Sequence, residues 1–434
     1  MTILGNRRSV FRAVLRTAIV VLALAAPGHA ADFEAAAQRF QALEIKVSGK
    51  PATAAGLATL TNLSVPYDAI GFSDQDMAMI AELPRLRFVT IGPWQSVTPK
   101  GVAALAKSQS IHQLSLNNAW VGEEGLLALA VMPRLTTLNL GSAKGITPAG
   151  IKALAQSQTI NNLNLFDASV GPDGVEAIAG MTQLVELNLA QARGVTAAAA
   201  AKLADLKGLQ KLNLSRLAID DAVLSAFRDH AALRELRLDY IDTITDAGIA
   251  SLGSLPALAD LSVNDTLITG QGFAELARAK NLMRLSVVRA RLDDANAQSL
   301  GTLTTLQELY LTGNTVGDPT ASEIAKLTLL NSLYIDQTAI GDAGFASISG
   351  LTELKNLQAS RTPVTDQGVA AIDLPSLEWI SLDETAVTDA TLEKLAARDG
   401  LRVVNVRKTV VTKALVEKVV EARKEAPVKL SVYN

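Results

Sequence analysis

Aliphatic residues recur along this chain in the frame Leu-x-x-Leu-x-Leu, with Ile, Val or Ala in place of some leucines. Fifteen copies begin 23 to 26 residues apart, mostly 24 or 25. They begin at Leu60, Leu86, Ile111, Leu135, Ile160, Leu184, Leu209, Leu233, Leu258, Leu282, Leu306, Leu330, Leu354, Leu377 and Leu401. A fixed period of this length predicts an array of similar structural units that bury their apolar sides against one another.

One unit, residues 244–263, shows what each repeat is expected to form. Thr245 is placed to cap a short helix, and Asp246 in the first turn opposes the positive end of the helix dipole. The alternating apolar residues Leu261 and Val263 then fit a short strand. Each repeat therefore predicts one helix and one strand.

Four stretches follow the pattern LxxLxLxx(T/N/A)x(I/V)(T/G)DxG(I/V)xx(L/I): LADLSVNDTLITGQGFAEL, LNSLYIDQTAIGDAGFASI, LKNLQASRTPVTDQGVAAI and LEWISLDETAVTDATLEKL. The pattern resembles bacterial relatives of the cysteine-containing and ribonuclease-inhibitor-like leucine-rich repeats. This resemblance covers about residues 40–434 and implies an α/β leucine-rich-repeat solenoid of about fifteen to sixteen repeats. The implied horseshoe has a parallel β-sheet on its concave face and short helices on its convex face. The resemblance says little about function, because these repeats serve unrelated activities.

The ninth repeat position departs from the cysteine-containing families, because the chain has no cysteine. Hydrogen-bonding residues fill this position mostly in the later half: Thr266, Asn314, Thr338, Thr362, Thr385 and Thr409. Alanine fills it mostly in the earlier half: Ala119, Ala143, Ala168, Ala192 and Ala290. A hydrogen-bonding ladder beneath the turns is therefore expected mainly in the C-terminal half.

The N-terminus has the three-part pattern of an export signal. Four arginines precede an apolar run over 17–26, too short to span a bilayer, and a small-residue cleavage site ends at Ala30. RRSVFR resembles a twin-arginine signal, so both the Sec and the Tat route remain open. We predict a signal peptide over 1–30, an N-terminal helix and capping repeat over 31–59, the repeat array over 60–426 and a C-terminal capping strand over 427–434. The product is expected in the periplasm or outside the cell, without stable membrane insertion.

Charge and composition narrow the expected partners. The full chain carries a formal net charge of −3, and removal of the four signal arginines with no acidic residue leaves −7. Such a chain is a poor ligand for nucleic acid, whose phosphates require a basic surface. The lack of cysteine excludes disulfides and thiolate metal sites.

No pattern in the sequence indicates catalysis, a metal site or a cofactor. His112 and His230 have no Ser or Cys motif beside them, and a lone histidine at the surface or at a helix end is common. The pairs Asp220–Asp221 and Asp293–Asp294 fall where helices begin, and capping favours Asp there. We therefore expect a protein that is not an enzyme.

Residues between and just after the strand leucines are expected to point away from the core, onto the concave face. Three of the five tyrosines fall there, two of them on successive strands about 5 Å apart. Tyrosine with arginine on a rigid surface is typical of interface hot spots. The candidate partner-binding residues are Arg237, Asp239, Tyr240, Arg284, Arg289, Tyr310, Tyr334, Asp336 and Arg361.

The sequence thus predicts a non-catalytic, exported scaffold that binds a protein partner through its concave face. Two alternatives remain open. One is a host-directed effector that recognises eukaryotic proteins. The other is a carbohydrate or cell-wall binding module that uses tryptophan and tyrosine rings, among them Trp94 and Trp120, as stacking platforms.

Overall fold

The computed structural model describes residues 27–47, 49–66, 69–92 and 97–434. The expected signal peptide up to residue 26, and also Trp94, lie outside the described residues. The chain divides into two units. The first comprises Met1–Ile146 with Gln156–Ile160, and the second comprises Thr147–Ala155 with Asn161–Asn434.

In the first unit, parallel strands alternate with helices along the chain. Its parallel strands are Asn62–Val65, Phe88–Ile91, Gln113–Ser115 and Thr137–Asn139. Its helices are Pro27–Ala42, Ala54–Thr59, Asp74–Ala81, Pro99–Leu105 and Gly122–Ala130. A short antiparallel ladder pairs Lys46–Val47 with Lys50–Pro51, between the first two helices.

The first helix, Pro27–Ala42, is tied to the repeats by an ion pair. The Arg39 guanidinium donates to both carboxylate oxygens of Asp76, at 2.7 and 2.9 Å. Asp76 is fully buried, which opposes its ionisation, but the bonds from Arg39 and Ser73 outweigh burial and hold its pKa below the ordinary value. The segment expected to open the array is therefore anchored by charge.

The second unit repeats the strand–helix alternation twelve times among its described residues. Its strands are Asn162–Asn164, Glu186–Asn188, Lys211–Asn213, Glu235–Arg237, Asp260–Ser262, Arg284–Ser286, Glu308–Tyr310, Ser332–Tyr334, Asn356–Gln358, Trp379–Ser381, Val403–Asn405 and Ser431–Tyr433. Its α-helices are Pro148–Leu154, Gly171–Ala179, Ala197–Ala201, Asp221–Ala226, Asp246–Ser251, Phe273–Leu276, Asp318–Ile324, Asp342–Ile348, Asp366–Ala371, Asp389–Ala396 and Lys413–Ala422. The 3₁₀ helices are Lys202–Asp205, Leu252–Ser254 and Ala297–Thr302. The predicted α/β class is confirmed, although one repeat has only a 3₁₀ turn where a short helix was expected.

Each strand of the second unit pairs in parallel and in register with its neighbours, and its middle residue is buried in every strand except the last, where Val432 is half-buried. Leu309 and Leu333, for example, lie opposite each other with no exposed surface. The residues on either side of the buried position point to the opposite face of the sheet. Within the described ranges, no helix is both long enough and apolar enough to cross a lipid bilayer.

An aspartate in the first helical turn joins neighbouring repeats. Asp342 accepts bonds from the backbone N–H and the hydroxyl of Thr365, both at 2.7 Å, and Thr365 is the N-cap of the next helix. The predicted N-cap Thr245 is confirmed, since its hydroxyl accepts from the N–H of Ala247. The same aspartate–threonine contact recurs in five further pairs: Asp74–Thr98, Asp221–Thr245, Asp246–Thr269, Asp366–Thr388 and Asp389–Thr412. The threonine is the N-cap in all of them except Asp246–Thr269, where Gly272 is the N-cap. We call this contact the aspartate clasp.

Several of the repeated glycines make room for the clasp. A Cβ atom on Gly368 would lie 2.4 Å from Oδ1 of Asp342, and one on Gly344 would lie 2.6 Å from Oδ1 of Asp318. The backbone N–H of Gly368 also donates to Asp342 at 2.9 Å. These glycines therefore allow a carboxylate of the preceding repeat to approach the helix backbone.

The ladder expected at the ninth position is confirmed. Hydroxyls of the later threonines donate to the backbone carbonyl three residues earlier, as Thr338 does to Ile335 at 2.7 Å. Thr266, Thr362, Thr385 and Thr409 make the same bond. Asn314 donates to two carbonyls, those of Leu311 and Val287, and so joins two repeats.

The clasp predicts that alanine lowers the stability of the protein at Gly368 but not at Gly350. In the helix Asp366–Ala371, propensity alone would make Gly368→Ala stabilising by up to about 1 kcal/mol. The clash with Asp342 should instead lower the free energy of unfolding by about 1–3 kcal/mol. Gly350→Ala is the matched control, because no atom lies within 4 Å of its added Cβ. Urea unfolding of both variants tests this, and a Gly368→Ala protein more stable than wild type would contradict it.

Candidate binding surface

Two columns of side chains line the open face of the second unit. The first column consists of the first residue of each three-residue strand, and the third column consists of the third residue. Strand register places equivalent residues of a column side by side on adjacent strands. Neighbours in one column therefore lie about one strand spacing, roughly 4.8 Å, apart.

Tyr310 and Tyr334 stack in the third column, as their sequence positions predict. Their ring centroids are 4.3 Å apart and the rings are inclined by 10°. Both side chains are half-buried. The pair forms a rigid aromatic surface on two adjacent strands.

Arg284 holds this aromatic pair in place from the other side. Its guanidinium donates to the Tyr310 hydroxyl at 2.7 Å and pairs with the Glu308 carboxylate at 2.6 Å. The Tyr310 hydroxyl in turn donates to Glu308 at 2.8 Å. Burial opposes ionisation of Arg284, but the bond and charge interactions with Tyr310, Glu308 and Asp260 leave its pKa raised.

Tyr310 is held in its neutral, donating form. Burial is the main cause and the Glu308 carboxylate adds to it, while Arg284 opposes; together they raise the pKa of Tyr310 to about 12. The hydroxyl therefore keeps its proton throughout the physiological range and acts as a hydrogen-bond donor within the network.

A shallow depression of about 210 Å³ opens beside the tyrosine pair. It is lined by Arg237, Asp260, Ser262, Arg284, Ser286 and Tyr310. Burial raises the pKa of Asp260, and Arg284 at 3.6 Å only partly offsets this effect. The depression thus combines arginine, carboxylate and phenol groups on adjacent strands.

Three of the predicted residues, Tyr240, Arg289 and Arg361, lie in turns after strands rather than on strands. They belong to a turn column with left-handed backbone, which costs a non-glycine residue about 1–2 kcal/mol. In the second unit it consists of Asp167, Gln191, Arg216, Tyr240, Asp265, Arg289, Gly313, Gln337, Arg361, Glu384 and Lys408. Its recurrence at unrelated residue types shows that the repeat geometry, not the residue, imposes this conformation.

The turn column makes its own contacts. Arg216 lies over the ring of Tyr240, with 3.8 Å between guanidinium carbon and ring centroid. Arg289 forms a two-pronged ion pair with Asp265, at 2.8 and 2.7 Å. These exposed pairs add orientation rather than much stability.

Asp239 and Asp336, also predicted as binding residues, bond to the backbone of the next repeat. Asp239 accepts from the N–H of Asn264 at 2.8 Å and from the Ser262 hydroxyl at 2.6 Å. Asp336 accepts from the N–H of Ser360 at 2.8 Å, and burial nevertheless raises its pKa. Both carboxylates are thus engaged in aligning repeats.

The sequence reasoning named Arg284 from the first column and missed the other residues of that column. Glu308 and Asp260 fix Arg284, and Trp379 lies half-buried on the same face, in register with Asn356. Reading the residue immediately before the middle strand leucine, as well as the one after it, would have found them.

The remaining polar candidates have structural roles. His230 is buried rather than exposed, and its Nε2 lies 2.9 Å from the carbonyl oxygen of Leu206. Asp220 caps its helix, and Asp221 forms a clasp, as their position predicts. No group of residues in the described part of the chain is arranged to hold a metal ion.

Comparisons with known proteins concern the repeats and the fold. A family model described as "Leucine Rich repeat" matches residues 132–155, 156–179 and 302–325. No curated protein sequence matches the chain. These matches support a leucine-rich-repeat protein, while the bacterial subfamily stays a prediction.

Three solved structures illustrate what the fold of the chain is similar to. An internalin (InlF) of Listeria monocytogenes is 17% identical, with a TM-score of 0.51 over 92% of this chain and 94% of that one. A leucine-rich-repeat protein of Leptospira interrogans is 18% identical, with a TM-score of 0.56 over 87% and 91%. The mouse RP105/MD-1 complex gives 16% identity and a TM-score of 0.52 over 85% and 74%. The predicted leucine-rich-repeat fold class is therefore confirmed.

The contacts of Tyr310 with Arg284 and Glu308 predict that the Tyr310 hydroxyl titrates at an unusually high pH, and substitution of Tyr310 can identify its signal. The difference in phenolate absorbance between wild type and Tyr310→Phe should titrate near pH 12, whereas an ordinary tyrosine titrates near 10. Glu308→Gln should lower this midpoint, because the carboxylate raises the pKa. Because folding raises the pKa of Tyr310, protonated Tyr310 stabilises the folded state. This stabilisation is fully present below about pH 10 and is lost as the pH rises through 12. A difference spectrum centred at the ordinary value would contradict the network.

Proposed function

We propose that this protein is a non-catalytic, exported scaffold that binds a protein partner through the open face of its second unit. The observation that carries the proposal is the fixed stack of Tyr310 and Tyr334 beside Arg284. Leucine-rich repeats commonly offer extended surfaces to other proteins. The RP105/MD-1 neighbour is itself a protein complex, which supports the same kind of role.

The contact centre is suited to affinity because it is ordered before binding. Tyr310 is held by Tyr334 on one face and by Arg284 and Glu308 through its hydroxyl. These side chains therefore lose little conformational entropy when a partner binds. Tyrosine and arginine are also the residues most enriched at energetic centres of interfaces.

The other candidate residues surround this centre in two ways. Arg237, half-exposed beside Glu235, adds a cation at the edge of the depression. Tyr240, Arg289 and Arg361 present aromatic and charged groups from the turn column. We assign them to the rim of the surface, where charges steer a partner more than they stabilise the complex.

Export is part of the proposal and rests on the N-terminal sequence. Arginines, an apolar run and a small-residue cleavage site precede the repeats. The finding that no described helix could cross a membrane is compatible with this role.

A double substitution at the tyrosine pair tests the proposed surface. Tyr310→Ala with Tyr334→Ala should weaken the partner complex at least about 30-fold, while the thermal midpoint changes little, because both side chains are partly exposed. The partner is first identified by quantitative cross-linking to the exported wild-type protein, and its affinity is then measured by calorimetry.

Tyr433→Ala is the matched control, since Tyr433 is an exposed tyrosine at the same strand position, 45% accessible, outside the cluster. The control should bind like wild type. A partner held equally well by the double variant would remove the assignment.

A further inference from the structure

The depression beside Tyr310 contains a carboxylate that the protein pairs only loosely. Asp260 lines the depression, and the cation that pairs with it, Nη1 of Arg284, lies 3.6 Å away, which is longer than a hydrogen bond. The same guanidinium donates to Tyr310 at 2.7 Å and pairs with Glu308 at 2.6 Å. The donors of Arg284 are therefore directed at its other partners rather than at Asp260.

The neighbouring carboxylates of the first column are paired closely. Glu186 lies 2.9 Å from Lys211, and Glu235 lies 2.7 Å from Arg237. Asp260 stands in register beside Glu235, so a like charge faces it on that side. Burial is the main cause that raises the pKa of Asp260, and Glu235 adds to it, despite the nearby arginines. The ionised form of Asp260 thus lacks the stabilisation that the other carboxylates receive.

Negative charge is in excess around the depression. Three carboxylates, those of Glu235, Asp260 and Glu308, face two guanidiniums, those of Arg237 and Arg284. An anionic group of a partner would meet this excess, and both guanidiniums that could receive it already form short ion pairs. A cationic group of a partner would instead meet the loosely paired carboxylate. The charges therefore favour a cation at this point of the surface.

The floor of the depression offers acceptors rather than donors. The Ser262 hydroxyl donates to Asp239 at 2.6 Å, and the Ser286 hydroxyl donates to the side-chain oxygen of Asn264 at 2.7 Å. Because these protons are used, both hydroxyls can only accept a hydrogen bond from a group that enters the depression. The hydrogen-bonding chemistry of the floor thus agrees with the charge.

We propose that this depression takes the ammonium group of a lysine side chain of the protein partner. The inference rests on the proposed function and names what the partner carries at this point of contact. An ammonium is a compact cation with three N–H donors, which suits the Asp260 carboxylate and the Ser286 hydroxyl. Its hydrocarbon stem packs against the ring of Tyr310. Asp260 is already largely removed from water, with 26% of its side chain exposed, so less of the desolvation cost remains when the ion pair forms.

The first test uses three small probes with the whole protein: the N-acetyl methylamides of lysine, norleucine and glutamate. Norleucine matches the lysine stem but has no charge. Selective ¹⁵N labelling of serine makes the backbone signals of Ser262 and Ser286 visible. The lysine probe should shift both signals with roughly millimolar affinity, and norleucine should bind at least about tenfold more weakly. No shift with lysine, an equal response to norleucine or a stronger response to glutamate would overturn the proposal.

The second test compares two carboxylates of the first column. Asp260→Asn should abolish the response to the lysine probe and weaken the partner complex about 10- to 100-fold. Glu186→Gln is the matched control, because Glu186 is also the first residue of its strand and lies outside the depression. It should leave probe binding and partner binding unchanged. The probe series with the wild type stands even where a variant fails to fold.

The outcomes separate this inference from the proposed function. A partner that is lost by the double variant of Tyr310 and Tyr334 but held equally well by Asp260→Asn ends this inference alone. A partner that is held equally well by the double variant ends the proposed surface.

Discussion

The aspartate clasp is the constraint on which the positions of the exposed side chains depend. A carboxylate such as that of Asp342 joins the first turn of one helix to the N-cap of the next through two bonds to Thr365. Apolar burial between repeats is strong but does not specify direction, because it depends on area removed from water. Directed bonds at the helix starts that carry the clasp set the register between those neighbouring repeats. Glycines such as Gly368 are the counterpart of the clasp, since any side chain there would meet the carboxylate.

Alignment of neighbouring helices also aligns the strands on the other side of the same repeats. Once neighbouring strands are aligned, residues separated by one period become neighbours in space, as Tyr310 and Tyr334 do at 4.3 Å. The same alignment brings Arg284 to Glu308 and lets Asp239 accept from Asn264. These surface side chains are therefore held in place before a partner binds, which lowers the entropy they lose on binding.

The face of the second unit is divided between two kinds of chemistry. Toward its C-terminal part, tyrosines and arginines are linked in a charged network around Tyr310. Earlier strands carry amides whose side-chain oxygens accept from the backbone, as in Asn188. One fold can present both because outward residues do not contribute to the buried spine.

The period and frame of the sequence determined the alternation of strand and helix, the buried leucines, the cap at Thr245 and the adjacency of Tyr310 and Tyr334, because these follow from spacing alone. The tertiary structure decided the hydrogen-bond partners, the backbone conformation and the burial of individual side chains, which spacing does not determine. It bonded Asp239 to the backbone of the next repeat, placed Tyr240 in a left-handed turn and buried His230. It also gave Arg284 its partners and the asparagines their orientation. The asparagine bonds are local, between residues two positions apart. The bonds of Asp239, His230 and Arg284 join residues about 24 positions apart, and they exist only after neighbouring repeats have stacked.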